Sequence, residues 1–331
     1  MLLKAISTEL FVGNMSNWEW YEKSADEVNK RYLEYLGLNK TFSHQGSRAT
    51  VRRFANIVRP VYEAHKVELE EQGVENPEIE ISNHFYEILE EANEGVTQDI
   101  WDKIPEDDPA KGRTRRSQGR AKNLGTMYTY LLVYNLAENL LGTDAAVSLH
   151  MPKTLREATT LKRTYAGEDI TIPIEGDLVV FNPNDYDDPT IFISCKYSMK
   201  ERSHIVTMWA LLSDIAQDDQ QRGEYNISVD DPHGLIDNLI YTFATPDHNE
   251  DLISPRNLIK MDASFIEYVF SSRPEATDAP STVDIGSEQI THSASALYDL
   301  IAKRYDSVDY EDFGQADIEL EDDRVTLGDF A

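Results

Sequence analysis

Apolar residues change their spacing along the chain, and the change divides it. Over the first part they recur at three and four, the helical period, up to about residue 150. Ser16-Asn17-Trp18-Glu19 has the form of a capping box opening a helix through Leu36, with Trp20, Val28, Tyr32 and Tyr35 as its apolar stripe. Arg48 to His65 predicts a second helix: Val51, Phe54, Ala55 and Val58 share a face, Arg52, Arg53 and Arg59 spread around it, and Pro60 allows a bend. Asn83 to Glu94 reads as a short acidic helix and Pro105 to Gly112 as a loop rich in Asp and Pro. Gly125 to Leu141 is apolar almost all round, which predicts a buried helix. Glu138 inside it is either paired or coordinating in the interior, or an exposed acid at the helix end beside Asn139 and Gly142.

Beyond Gly167 the pattern becomes that of strands. Ile170–Ile174, Asp177–Phe181 and Thr190–Lys196 are expected to build the first part of a sheet. Leu178-Val179-Val180-Phe181 is a continuous apolar run, as in a strand buried on both sides. Asn182 to Pro189 is turn chemistry, so the runs on either side of it can pair as a hairpin. Tyr197 to Ile215 predicts a helix with Ile205, Met208, Trp209, Leu212 and Ile215 at helical spacing and Trp209 in the core. Gln217 to Tyr225 reads as a polar loop, Asn238 to Thr245 as a strand, Leu258 to Phe270 as one or two more, and Ser287 to Tyr305 as a final helix. The polar stretch Thr245 to Asp251 is either a substrate-contacting loop or a solvated turn. The tail from Asp306 to Asp329 is acidic and poor in apolar residues.

The hairpin carries the chemistry. Ser194 and Lys196 share one strand face while Ile193 and Cys195 share the other, and pairing brings Asp177 beside Lys196. A carboxylate can anchor Mg²⁺, a hard cation that takes oxygen ligands, and a neighbouring lysine can orient water or stabilise charge on phosphorus. Glu175-Gly176-Asp177, the apolar strand, the turn and Ile193-Ser194-Cys195-Lys196-Tyr197-Ser198 together resemble the PD-(D/E)XK nucleases, among them type II restriction endonucleases with Ser-x-Lys in the second half of the motif.

That resemblance covers mainly residues 170–215. It implies an α/β nuclease core, a mixed central sheet flanked by helices, preceded by a mainly helical region. It divides the chain into a helical part at 1–124 with a DNA-binding role, a nuclease core at 125–305 and an acidic tail at 306–331. Asp177, Ser194, Lys196 and Glu138 become the expected catalytic residues, with Asp177 and Glu138 on the metal. Ser194 stands where an acid is usual, and Ala210 stands where some relatives place a glutamate on the following helix. A second carboxylate must therefore come from elsewhere; Glu201, Asp214 and Glu138 are the candidates, and Glu138 is preferred because a helix preceding the hairpin often supplies it. The implied reaction is Mg²⁺-dependent hydrolysis of double-stranded DNA at a short specific sequence, by a homodimer if the target is palindromic.

Composition modifies this picture. The 331-residue chain has a net charge of −29, which opposes binding to a polyphosphate. The charge is segregated, however. Lys111 to Lys122 contains no acid, and its Arg113, Arg115, Arg116, Arg120 and Lys122 join Arg52 and Arg53 as expected DNA contacts. Arg202 either reaches a phosphate or forms a structural salt bridge. One cysteine excludes an intrachain disulfide. The absence of a secretory apolar block or a membrane-length apolar run points to a soluble, cytoplasmic protein without a membrane partner. No Walker loop, dinucleotide fingerprint or zinc-ligand spacing is present, so no nucleotide cofactor is expected. Three rival readings remain: a nuclease of repair or structure-specific type, a DNA-binding relative that does not cut, and an acidic DNA mimic.

Overall fold

A computed structural model describes residues 23–37, 45–101, 109–185, 187–197, 203–231, 234–250, 252–253, 266, 268–276 and 291–305. The protein is α/β, with a mixed central sheet flanked by helices. Six strands lie in the order β1 (Ala146–Ser148), β4 (Leu178–Phe181), β5 (Thr190–Cys195), β7 (Leu239–Thr245), β8 (Tyr268–Ser271), β9 (His292–Ser293). The pairs β1–β4 and β4–β5 are antiparallel, whereas β5–β7, β7–β8 and β8–β9 are parallel. Every residue of β4 and β5 is buried, as the unbroken apolar run of β4 and the Ile191–Ile193 run of β5 lead one to expect.

The first helix, α1 (Ala25–Gly37), opens on a capping box, but at Ser24 and Glu27: Glu27 N–H donates to Ser24 Oγ at 3.3 Å and Ser24 N–H to Glu27 Oε2 at 3.1 Å. The expected box at Ser16–Glu19 lies outside the described residues. α1 covers the edge strand β1. Buried Asn29 accepts from Val147 N–H at 3.0 Å and donates to Leu140 O and Ala145 O, while Tyr32 OH accepts from Leu149 N–H at 3.0 Å. Covering an edge in this way blocks pairing with other chains.

The second helix is longer than its apolar spacing suggested and continues through Pro60, as expected. α2 (Gln45–Arg53) passes through a wide π-helical turn, Phe54–Val58, into α3 (Arg59–Glu71). Arg59 N–H bonds back to Phe54 O, so the register shifts just before the proline that lacks an N–H. After the short α4 (Pro77–Glu80), α5 (Phe85–Trp101) runs well past Glu94. α6 (Pro109–Asn139) then takes in both the basic stretch and the apolar one, crossing residues 124 and 125 without a break. Of the loop expected at 105–112, residues 109–112 are helical and 105–108 lie outside the described residues.

α7 (Lys153–Ala158) leads into an element that the pattern did not predict, β2 (Thr160–Tyr165). The strand expected at Ile170–Ile174 is β3 (Glu168–Pro173), and it is not part of the central sheet. It pairs with β2 in a separate three-stranded sheet, β3–β2–β6, where β6 is Ser228–Val229. Ile170 and Ile172 alternate with Asp169 and Thr171, a half-polar pattern unlike the doubly buried central strands.

α8 (Ser203–Gln217) carries the chain from β5 to its parallel neighbour β7, and Gln217 donates to Leu239 O at 2.8 Å. The polar stretch after it is helical: α9 (Asp219–Tyr225) is capped by Asp218, which accepts from Gln220 N–H at 2.8 Å and Gln221 N–H at 3.0 Å. Of the stretch 258–270, Tyr268–Phe270 form β8 and 258–265 lie outside the described residues. The final helix, α10 (Ala296–Arg304), begins after β9, and the acidic tail lies outside the described residues. One apolar core extends from Ala25 on α1 to Tyr305 after α10. Among the described residues, no helix is long and apolar enough to cross a membrane.

Candidate active site

β5, β7 and β8 are parallel, so their carboxyl ends share one edge of the sheet. β4 runs the other way, which brings its amino end, and Asp177, to that same edge. Open α/β sheets bind ligands at such an edge. The β4–β5 register pairs Leu178 with Ile193, and Asp177 N–H donates to Ile193 O at 3.0 Å. Asp177 Oδ2 then accepts from Cys195 N–H at 2.7 Å and Ser194 Oγ at 3.2 Å, and forms an ion pair with Lys196 Nζ. Lys196 is itself anchored by its N–H to Ala244 O at 3.1 Å on β7.

Gly176 permits this approach. A Cβ there would stand 3.2 Å from Leu178 O and 3.4 Å from Phe192 Cβ, tighter than ordinary contact. Tyr241 on β7 was not singled out from sequence, where it is one apolar residue in a strand. Its OH donates to Glu175 O at 3.1 Å beside Ser194, fixing the segment that presents Asp177. Burial pushes the Tyr241 hydroxyl well above its ordinary range, and the Asp177 carboxylate adds to the shift, so the group stays a neutral donor. Cys195 points away from Asp177's face toward Thr129 on α6; burial holds its thiol protonated.

A second polar cluster occupies the same edge. Tyr197 and His248 stack with ring centroids 4.5 Å apart, and Glu90 on α5 lies 3.1 Å from both His248 Nδ1 and Tyr197 OH. The segment after β7 is not a solvated turn through Asp247. Asp247 is 1% exposed, accepts from Leu252 N–H and donates its own N–H to Thr245 Oγ1 at 3.0 Å. Arg273 follows β8, pairs with Glu250 at 2.8 Å and lies 4.1 Å over the Tyr86 ring. Nothing in the spacing of α5 marks Glu90 out, because its partners come from loops more than a hundred residues away.

Two expected site residues are placed elsewhere. Glu138 does not join Asp177: Lys66 Nζ lies 2.9 Å and Tyr62 OH 3.0 Å from its carboxylate. It stands nine residues beyond Thr129, which touches Cys195, and so roughly 13 Å farther along α6. Its place in an apolar helix reflects an ion pair with α3. Arg53 is not a free phosphate contact either. It is 9% exposed, ion-paired with Asp99 and bonded to Asn123 Oδ1 at 2.6 Å.

Arg52 and Lys122 are exposed, as is Asp214 on α8. Positions 113, 116 and 120 fall at spacings of three and four along α6, one helical face, while the side chains of Arg113, Arg115, Arg116 and Arg120 lie outside what is described. Arg202 and Glu201 also lie outside the described residues. Among the described residues, no three His, Cys, Asp or Glu side chains converge as a metal site. The chain matches no family model and no curated protein sequence.

Proposed function

We propose that the protein is a Mg²⁺-dependent, sequence-specific endonuclease of double-stranded DNA, built on a PD-(D/E)XK-like core and resembling type II restriction enzymes. The observation that carries this reading is the clamp of Asp177 by Lys196, Ser194 and the Cys195 N–H at the open edge of the sheet. A carboxylate and an ammonium held by strand backbone are pre-positioned for phosphodiester chemistry.

Asp177 Oδ2 carries those three contacts, while Oδ1 accepts no hydrogen bond among the described residues. Mg²⁺ binds through one or two carboxylates together with substrate phosphates and water, so Asp177 beside a phosphodiester fits such an ion. When bound, Mg²⁺ would polarise the scissile phosphate and lower the pKa of a water. Asp177 would hold the metal, and Ser194 and the Cys195 N–H fix its carboxylate. Lys196 orients the attacking water or stabilises charge on the phosphoryl oxygens. Arg113, Arg115, Arg116, Arg120 and Lys122 on α6, with Arg52 and Arg202, supply phosphate contacts that offset an acidic chain.

Among the described residues no cluster of three His, Cys, Asp or Glu side chains forms around Asp177, which favours a second reading, a DNA-binding protein with this fold that does not cut. Digestion of unmodified phage DNA with Mg²⁺ across a range of salt, wild type against Lys196→Ala, separates the two. Discrete fragments from wild type alone support the endonuclease. A smear points to a nuclease without sequence choice. Intact DNA in every lane, with retained binding, supports the second reading; without binding, both fall.

A further inference from the structure

The β2–β3 hairpin turns through Ala166 and Gly167, both at positive φ, a two-residue loop that pairs Tyr165 with Glu168. β3 is the outer strand of its sheet. Residues Glu168 to Ile172 are all exposed, and because successive side chains face opposite sides, neither face of the strand is covered. Ile170 and Ile172 are 43% and 42% exposed. Natural edges are protected by charge, proline or a bulge. Ile170-Thr171-Ile172 has none of these until Pro173.

The hydrogen-bond parity of this edge is fixed. Ile174 N–H bonds inward to Thr159 O at 3.0 Å. In an antiparallel ladder alternate residues bond to the same neighbour, so Ile172, Ile170 and Glu168 also face β2. The N–H and C=O groups of Asp169 and Thr171 therefore point outward, unmatched by any strand among the described residues.

We infer that β3 pairs antiparallel with β3 of a second copy of this chain, about a two-fold axis at Ile170. Only that register suits the strand. Centred on Ile170, it sets Asp169 against Thr171 of the copy, and each such pair exchanges both N–H···O bonds. Centred on Asp169, it would set two carboxylates directly opposite each other, which is destabilising. Centred on Thr171, it would bring Pro173, which has no N–H, against Asp169. In the Ile170 register the two isoleucines form the closer, non-hydrogen-bonded pair, and Glu168 faces Ile172. The surface is isologous, so a self-complementary strand closes the dimer rather than propagating a fibre. The inference does not depend on the nuclease reading; if that reading holds, it supplies the two-fold reader that a palindrome requires.

Such a strand pair is small for an interface, so dissociation is expected on the order of micromolar. The test is sedimentation equilibrium of the full chain over a range of concentration, with two further probes. Thr171→Pro removes an N–H that no bond among the described residues uses, so the thermal midpoint should hold. The dimer should weaken about tenfold or more, its dissociation constant rising, since one bond is lost from each copy. Ile170→Cys places two thiols at a non-hydrogen-bonded pair, about 4.5 Å between Cα atoms, within disulfide reach. It should cross-link on mild oxidation, whereas Asp169→Cys should not. A wild type that is monomeric throughout overturns the inference. So does a dimer indifferent to Thr171→Pro, or equal cross-linking at positions 169 and 170.

Discussion

Lys196 reaches back to Asp177 across the β4–β5 pair, nineteen residues away in sequence, and shares its Oδ2 with the Cys195 N–H. The lysine has a partner before any substrate arrives, so its ammonium is held in place by the side chain assigned to the metal. Asp177→Ala should abolish cleavage while sparing DNA binding measured in Ca²⁺. Lys196→Ala should lower the cleavage rate by about 10²–10³-fold, the range lost with one transition-state donor. Rates on a defined duplex, with binding by gel shift, check both. Cutting retained in Asp177→Ala would remove it from the site.

Arg52 and Arg53 are neighbours with opposite fates. Arg53 is enclosed by Asp99 and Asn123, whereas Arg52 is exposed. Arg53→Ala would leave Asp99 without its cation in a partly buried place, and stability should fall by about 2–4 kcal/mol. Arg52→Ala should change stability by less than about 0.5 kcal/mol. Urea midpoints measure this. If Arg52 meets phosphate, its substitution alone should flatten the salt dependence of DNA binding at unchanged stability.

Gly176 sets the distance between the Asp177 segment and β5. In Gly176→Ala the new methyl meets Leu178 O and Phe192 Cβ, and backbone oxygen cannot rotate away. The strand must shift, at about 1–3 kcal/mol of stability. Asp177 moves with it, so cleavage should fall more than the stability loss explains at temperatures where the variant is fully folded. Activity and thermal midpoint measured together distinguish a displaced carboxylate from simple unfolding.

The central hairpin was legible because its signals are local. Leu178–Phe181 is apolar without a break, Ile191–Ile193 continues the pattern after a turn, and register alone brings Asp177 to Lys196. Glu138 is paired, one of the alternatives its apolar setting left open, but its metal role and the phosphate role of Arg53 do not fit, because their partners lie far off in sequence. Lys66 and Tyr62 come from α3, Asp99 from α5, and no spacing rule reports a partner on another helix. β2 was invisible for a related reason: Lys162 and Arg163 interrupt its pattern, and pairing with β3 supplies what propensity lacks. The basic half of α6 was hidden by its glycines, Gly112 and Gly119. Glu90 and His248 meet only once the sheet edge has formed.

Cys195 shares its strand with the candidate site yet should be chemically silent. Burial pushes its thiol well above the ordinary range and the Asp177 carboxylate adds to this, against smaller opposing effects of Lys196 and Thr129. The attacking species is the thiolate, so a disulfide reagent at pH 8 should label the folded protein only at the rate at which it opens, and label it at once in denaturant. The same shift sets a pH dependence. The folded value lies above the unfolded value of about 8.5, so this contribution is fully present below that pH and is lost as pH rises through the folded value. Between pH ~8.5 and 10 the unfolded chain holds fewer protons, and stability should fall by up to about 1.4 kcal/mol per pH unit from this group. Cys195→Ala should remove that part of the alkaline slope in urea titrations. Rapid labelling of the folded protein, or an unchanged slope in the variant, would show that the thiol is not enclosed.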